Sequence, residues 1–372
     1  MTAPNIQREL TSVCAHLMTK KIIAEIVKDK QPFSLLVDES RDEAVKEQMA
    51  IVFRYVDNIG YVIERFIGVV HVKNSSAKSL KIAIDAFFVK HGLSLTSLRG
   101  QEYWESQNEL SQALQGKDQD LLNAIQFVQI SKRRLHKMRN EDTCFDILLK
   151  KASDMCKDND IPILENMEDN FARTKQGIAP ITNKHHFKVE LMYTILDDIQ
   201  EELNNRFDEV NMRLLQCMSS LDLGNSFIAF NKDRLLEFAK FYPTNFPQHD
   251  IWLLDDKLEN YYEDVNTNAN FTHVKGIADL AKKMVEFKKD VAYNKVFLLI
   301  KLALVLPVAI ATIEGVFSAM NLVKNSLRNR MGDDWMNNCL VVYIEKEVFA
   351  TIENGDIIEH FQNISKQKIV LN

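Results

Sequence analysis

An α/β opening that gives way to an all-α body is the fold class this sequence predicts, and three observations predict it. Three β-rich runs lie between residues 33 and 72, apolar residues recur at helical spacing over most of the remaining chain, and Gly and Pro are scarce, 11 and 7 in 372 residues. With 46% hydrophobic residues the chain has the material for a large core. Its 46 Lys and Arg stand against 52 Asp and Glu, a formal net charge of −6. That balance excludes a surface wholly given to neutralising phosphates and leaves room for local basic patches. The five cysteines, at 14, 144, 156, 217 and 339, form no CxxC. This excludes a zinc ribbon or finger and a disulfide framework, and it implies a reducing compartment. The opening MTAPNIQREL lacks an apolar core followed by small residues, so no secretory signal is expected.

The elements follow in order. Over about 6–30, Leu10, Val13, Leu17, Ile22, Ile23, Ile26 and Val27 fall at helical spacing among Lys and Glu, which predicts an amphipathic helix stopped before Pro32. The runs FSLLVD (33–38), MAIVFRYVD (49–57) and YVIERFIGVVHV (61–72) predict strands, the last two joined by a hairpin through Asn58-Ile59-Gly60. Residues 76–91 read as a helix with Ser75 or Ser76 as N-cap and Gly92 just past its end. From Glu109 onward, helical periods cover 110–138, 143–156, 186–221, 231–241 and 250–265, broken by polar loops at 157–181 and 265–276. Basic Lys132, Arg133, Arg134, Lys137 and Arg139 are segregated from acidic Asp197, Asp198, Glu201, Glu202, Asp208 and Glu209, a pattern that fits solvated helix faces. The run Val296 to Ile313 approaches the length of a membrane span, but Lys301 and Pro307 interrupt it and favour a buried core helix. Apolar helices return over 295–327 and 335–349, separated by the turn at Arg330-Met331-Gly332-Asp333.

Longer stretches carry a resemblance. PFSLLVDESRDEAVKEQMAIVFRYVDNIGYVIERFIGVVHV with SLKIAIDAFFVKHGLSLTSLRGQ resembles the start of the catalytic region of hAT-superfamily transposases and of their domesticated zinc-finger MYM-like and TTF-type relatives, plant ones especially. LIKLALVLPVAIATIEGVFSAMNLVKNSLRNRMGDDWMNNCLVVYIEKEVF resembles the hAT C-terminal dimerisation region, and NELSQALQGKDQDLLNAIQFVQISKRRLHKMR with NKHHFKVELMYTILDDIQEELNNRF looks like the helical insertion. The resemblance implies a degenerate RNase H-like core with a large helical insertion and a helical C-terminal dimerisation region. Its segments would be 1–108, the truncated N-terminal part of the core; 109–290, the all-helical insertion; and 291–372, the C-terminal core helices and dimerisation region.

The same resemblance implies a catalytic centre in which two Asp and a Glu hold two metal ions, since hard dications prefer oxygen ligands and a pair of them stabilises both oxygens of an in-line displacement. Asp38 in LLVDES matches the first carboxylate and Glu314 in ATIEGVFS the Glu, with Gly315 where an Arg normally follows. Relatives carry the second Asp in a strand written roughly RGQGYDGASNM, whereas here RGQEYWESQNEL reaches the insertion-like sequence by Asn108. The strand and its Asp therefore read as deleted. Glu102 and Glu105 lie near the vacancy, outside the matching context. The relatives' BED- or TTF-type zinc finger has no ligand set here either.

The expectation is a transposase-derived protein, catalytically inactive, with Asp38 and Glu314 vestigial, no metal and no cofactor. It would act by dimerisation through Phe317, Leu340, Val341, Ile344 and Phe349, with itself or with related hAT-derived proteins. Lys324, Arg328 and Arg330 are candidates for a weak contact with DNA. Neither a membrane nor a small-molecule substrate is expected, and the family implies the nucleus. The alternative is a Mg²⁺-dependent transposase, cleaving and transferring DNA strands with a re-recruited carboxylate. His185-His186 offers no third ligand at i+3 or i+4, and Cys144 and Cys339 read as small core hydrophobes. No GxxxxGK[ST], GxGxxG or GxSxG occurs, which removes the sequence basis for nucleotide hydrolysis, dinucleotide binding and α/β-hydrolase chemistry.

Overall fold

A computed structural model describes residues 3–28, 31–74, 76–94, 98–104, 121–159, 161, 166–169, 181–221, 230–306 and 311–364. The chain forms two compact units, one of Met1–Gln119 with Ser220–Asn372 and one of Asp120–Ser219.

In the first unit, helix α1 (Pro4–Val27) starts with Pro at its first turn, where the missing N–H costs nothing, and buries Val13, Met18, Ile22 and Ile26. Strands β1 (Phe33–Arg41), β2 (Glu47–Val56) and β3 (Val62–His71) form an antiparallel meander. Helix α2 (Ala77–His91) follows, its N-cap Ser76 accepting from Ser79 N and its chain leaving through left-handed Gly92 at φ 63°. It carries the chain across the sheet to β4 (Leu98–Trp104), which pairs parallel to β1, so the order is β3-β2-β1-β4.

Both faces of this sheet are covered, which is why its strands read as continuous apolar runs. On one face Phe33 and Phe53, 5.2 Å apart, meet Phe87 and Phe88 of α2 with ring centroids 6.0–6.4 Å away. The other face receives the C-terminal part of the chain: α10 (Asn294–Val305) and α11 (Ala311–Val323) pack on β1 and β2, before α12 (Asp333–Ile344) and α13 (Asn354–Ile364). Cross-strand partners Arg54 and Glu64 form an ion pair at 2.6 Å; Arg54 also donates to Leu304 O at 2.8 Å, and Glu64 accepts from Thr312. Edge strand β3 is closed by α12. Where the β2–β3 register shifts, Asn337 Oδ1 accepts from Val69 N at 2.8 Å and buried Glu345 from Phe66 N at 2.7 Å. These carboxamide and carboxylate acceptors occupy an edge that would otherwise offer free amides.

Helix α10 buries Val296, Phe297, Leu299, Ile300, Leu302, Ala303, Leu304 and Val305 almost all round, so it is a core helix, and no helix among the described residues is long and apolar enough to cross a membrane. Its side away from the sheet is covered by α7 (Lys232–Lys240), α8 (Gln248–Thr267) and α9 (Gly276–Glu286). This moves the expected boundary: 220–290 belong with the sheet rather than with the insertion, because a helix apolar all round needs partners on both sides. The β2–β3 turn also reaches α9, for a Cβ on Gly60 would lie 2.7 Å from Ala281 O, and Gly60 has φ 86°. Gly60→Ala therefore combines left-handed strain with a backbone clash, and should cost about 2 kcal/mol or more. A thermal melt followed by circular dichroism measures it.

The second unit is helical: α3 (Leu121–Asn140), α4 (Asp142–Asp158), a π-helical stretch His186–Tyr193 running into α5 (Thr194–Arg206), and α6 (Glu209–Ser219). Among the described residues between 121 and 290 no strand joins the sheet. The segregated charges partly meet inside this unit, with Arg139 bonded to Asp197 at 2.8 Å and stacked 3.8 Å over Tyr193, and Lys132 donating to Phe207 O. The start of the expected 110–138 helix, at 110–120, lies outside the described residues, as do Glu105 and 307–310.

Candidate functional site

Asp38 sits where β1 leaves its buried stretch, after Phe33–Val37. Strand alternation puts it on the face of Ser34 and Leu36, the side that α11 covers, and Glu314 stands in the first turn of α11. The two ends of the chain thus bring these carboxylates to one place, close enough for the Glu314 charge to act on Asp38. Burial is the main cause that raises the Asp38 pKa; the Glu39 N–H bond at 2.8 Å opposes it, and the charges of Glu39 and Glu314 add to the rise. The carboxyl is pushed up to about 6. No cation neutralises it among these causes, the pattern of like charges sharing a site.

The neighbouring strand corrects the reading of a deletion. Strand β4 is present, with Gly100 opposite Ser34, Gln101 opposite Leu35, Glu102 opposite Leu36, Tyr103 opposite Val37 and Trp104 opposite Asp38. Beside the relatives' RGQGYD, the residues Arg99, Gly100, Gln101 and Tyr103 coincide, Glu102 replaces a Gly, and Trp104 occupies the place of the Asp. On that resemblance the strand is present, and Trp104 stands at the position of the second Asp. Tyr103 was the signal that extends the match through the strand. The strand's start is also tethered, since Arg99 Nε donates to Asn245 Oδ1 at 2.7 Å.

Two of the residues expected to dimerise are placed elsewhere. Leu340 and Val341 are fully buried in this chain's own core, where α12 packs against β3, α1 and α11. The surplus apolar surface of α12 is spent within the chain, since the edge of β3 and the flank of α1 both need covering. Phe317 and Ile344 are partly buried against the same core, and Phe349 is exposed. Outward-facing apolar side chains in this region are Leu322, Leu327, Tyr343, Phe349 and Ile358, with Leu327 94% exposed.

Of the basic residues, Arg328 and Arg330 are exposed, but Lys324 is not a phosphate contact. It is 1% exposed and its Nζ lies 2.6 Å from Asp42 Oδ2. Asp42 also accepts from Gln48 Nε2 at 3.0 Å, Ala44 N at 2.8 Å and Lys46 N at 3.1 Å. Burial works against the charge of Asp42, yet the bonds from Lys324, Lys46, Gln48 and Ala44 outweigh it and hold the carboxyl below the usual range. The pair ties the β1–β2 turn to the end of α11.

His186 Nδ1 lies 2.8 Å from Glu190, one helical turn along, and Cys144 and Cys339 are partly buried free thiols, that of Cys339 raised by burial. Among the described residues no three His, Cys, Asp or Glu side chains gather as a metal-binding group. Residues 1–116, which hold α1, α2 and the whole sheet, match the family model described as ZMYM1/FAM200, RNase-like domain (DUF4371), a match that fits a transposase-derived protein family and stops short of the C-terminal helices.

Proposed function

We propose that this chain is an hAT-type transposase derivative that no longer cuts DNA and acts in the nucleus by self-association through its C-terminal helices, with residual nucleic-acid contact at Arg328 and Arg330. The observation that carries inactivity is the register of β4: Trp104 stands opposite Asp38 where relatives carry an Asp. An indole offers a donor and no lone pair to a hard cation, so Asp38 and Glu314 are two donors where a two-ion centre asks for three carboxylates. The donor set does not fit that centre.

Self-association draws its support from the resemblance of residues 299–349 to the hAT dimerisation region and from the exposed Leu322, Leu327, Tyr343, Phe349 and Ile358. Light scattering at micromolar concentration should give twice the chain mass. Leu327→Asp with Phe349→Asp, both at exposed positions, should raise the dissociation constant tenfold or more while leaving the melting temperature of dilute protein unchanged. A well-folded monomer at these concentrations would remove this part of the reading.

The second reading, a metal-dependent strand-transfer enzyme, has one residue in its favour. Glu102 shares a strand with Trp104 two positions away and stands opposite Leu36 in the β1–β4 register.

A further inference from the structure

A groove of about 1000 Å³ opens between α1 and α2 over the outer part of the sheet, on the side away from Glu314, and nothing in the proposed function uses it. Its floor is apolar, built from Ala15, Ile67, Val69, Ala83 and Phe87. Its walls carry Lys20, Lys73, Lys90, His16, His71 and His91 against one carboxylate, Asp334. In a chain of net charge −6 this is a local reversal of sign. Among the described residues none of these three exposed lysines has a carboxylate at ion-pair distance.

The histidines are crowded by cations rather than neutralised. His91, half-buried against the Phe87 ring at 4.4 Å, is pushed down to about 4, first by burial and then by Lys90 and His16. His16 stacks on His360 at 4.9 Å and is lowered by burial and by His360, Lys20 and Lys90. His71 Nδ1 lies 3.0 Å from Glu47 O. Three lysines with no carboxylate partner among the described residues, beside imidazoles held neutral and an apolar floor of ligand size, are an arrangement that an anion would relieve.

We propose that this groove binds a small phosphorylated ligand of nucleotide size, its flat or apolar body on the Ala15, Val69 and Ala83 floor and its phosphates among Lys20, Lys90 and the histidines. Phosphate is favoured over a single carboxylate because several ammonium point charges on the walls suit a multiply charged anion. The cavity is at the upper end of small-ligand volumes, room for a nucleoside diphosphate and too little for a folded partner. No local motif points to a small ligand, because the groove's walls come from four separate segments.

Calorimetric titration of the full chain with ADP and with inorganic pyrophosphate tests this. ADP should bind at submillimolar concentration and pyrophosphate more weakly. Both should tighten several-fold between about pH 7.5 and about pH 6, as a bound phosphate draws protons onto His16 and His91, which face Lys20, Lys90, His360 and Asp334. Lys20→Ala with Lys90→Ala, both at exposed positions, should weaken either ligand at least tenfold with an unchanged melt. Ala83→Leu should impair ADP and spare pyrophosphate. No heat at millimolar ligand, affinity indifferent to the lysine pair, or binding of a single-stranded oligonucleotide where ADP fails would each overturn the proposal.

Discussion

Replacing Lys324 by Met should cost about 3–5 kcal/mol, because it leaves the Asp42 carboxylate buried without its cation. In a chain of this size the loss lowers the melting temperature by roughly 4–6 °C. Asp42→Asn in the same chain should recover more than half of it: the amide oxygen still accepts from Ala44 N and Lys46 N, and no unpaired charge remains. The pH dependence has a definite sign. The Asp42 pKa is depressed in the folded chain, so its contribution is present above the unfolded carboxylate range and is lost as the pH falls through the folded value. The Lys324→Met penalty should therefore shrink in acid. A cost below ~1 kcal/mol at neutral pH would place Lys324 at the surface, where the sequence reading had it.

Asp38→Asn should do the opposite and stabilise the protein at neutral pH. With a folded pKa near 6 against an unfolded value near 4, the native state holds the proton more tightly, so stability falls as pH rises through that window. The full penalty, roughly 3 kcal/mol at most, applies above it. Asparagine keeps an acceptor for Glu39 N and removes the charge, so melts at pH 7 should rise while melts near pH 3.5 stay level. A neutral-pH loss of stability would mean that a cation partners Asp38.

The opening of the chain was legible because its signals are local. Ser76 and Gly92 bracket α2, as capping chemistry requires, and β1, β2 and β3 were found within a few residues of their observed ends. What failed was β4. Seven residues containing Gly100, Gln101 and Glu102 carry little intrinsic strand preference, and a parallel partner across α2 supplies what the segment lacks. The C-terminal residues were misjudged for a different reason. Periodicity identifies Leu340 and Val341 as apolar and cannot say whether the surface that buries them belongs to the same chain. Lys324 reads as one member of a basic strip, and only the fold brings Asp42, 282 positions earlier, to meet it. Likewise Asp38 and Glu314 were legible as a pair only through the resemblance, since the sheet that joins them needs both ends of the chain.

The most direct test of the account is cleavage itself. Purified chain incubated with supercoiled DNA and Mg²⁺ or Mn²⁺ should produce no nicked product above the blank, and Asp38→Asn protein should be indistinguishable from it. Metal-dependent nicking that disappears in Asp38→Asn, and again in Glu102→Gln, would contradict the account and identify the carboxylate recruited in place of Trp104.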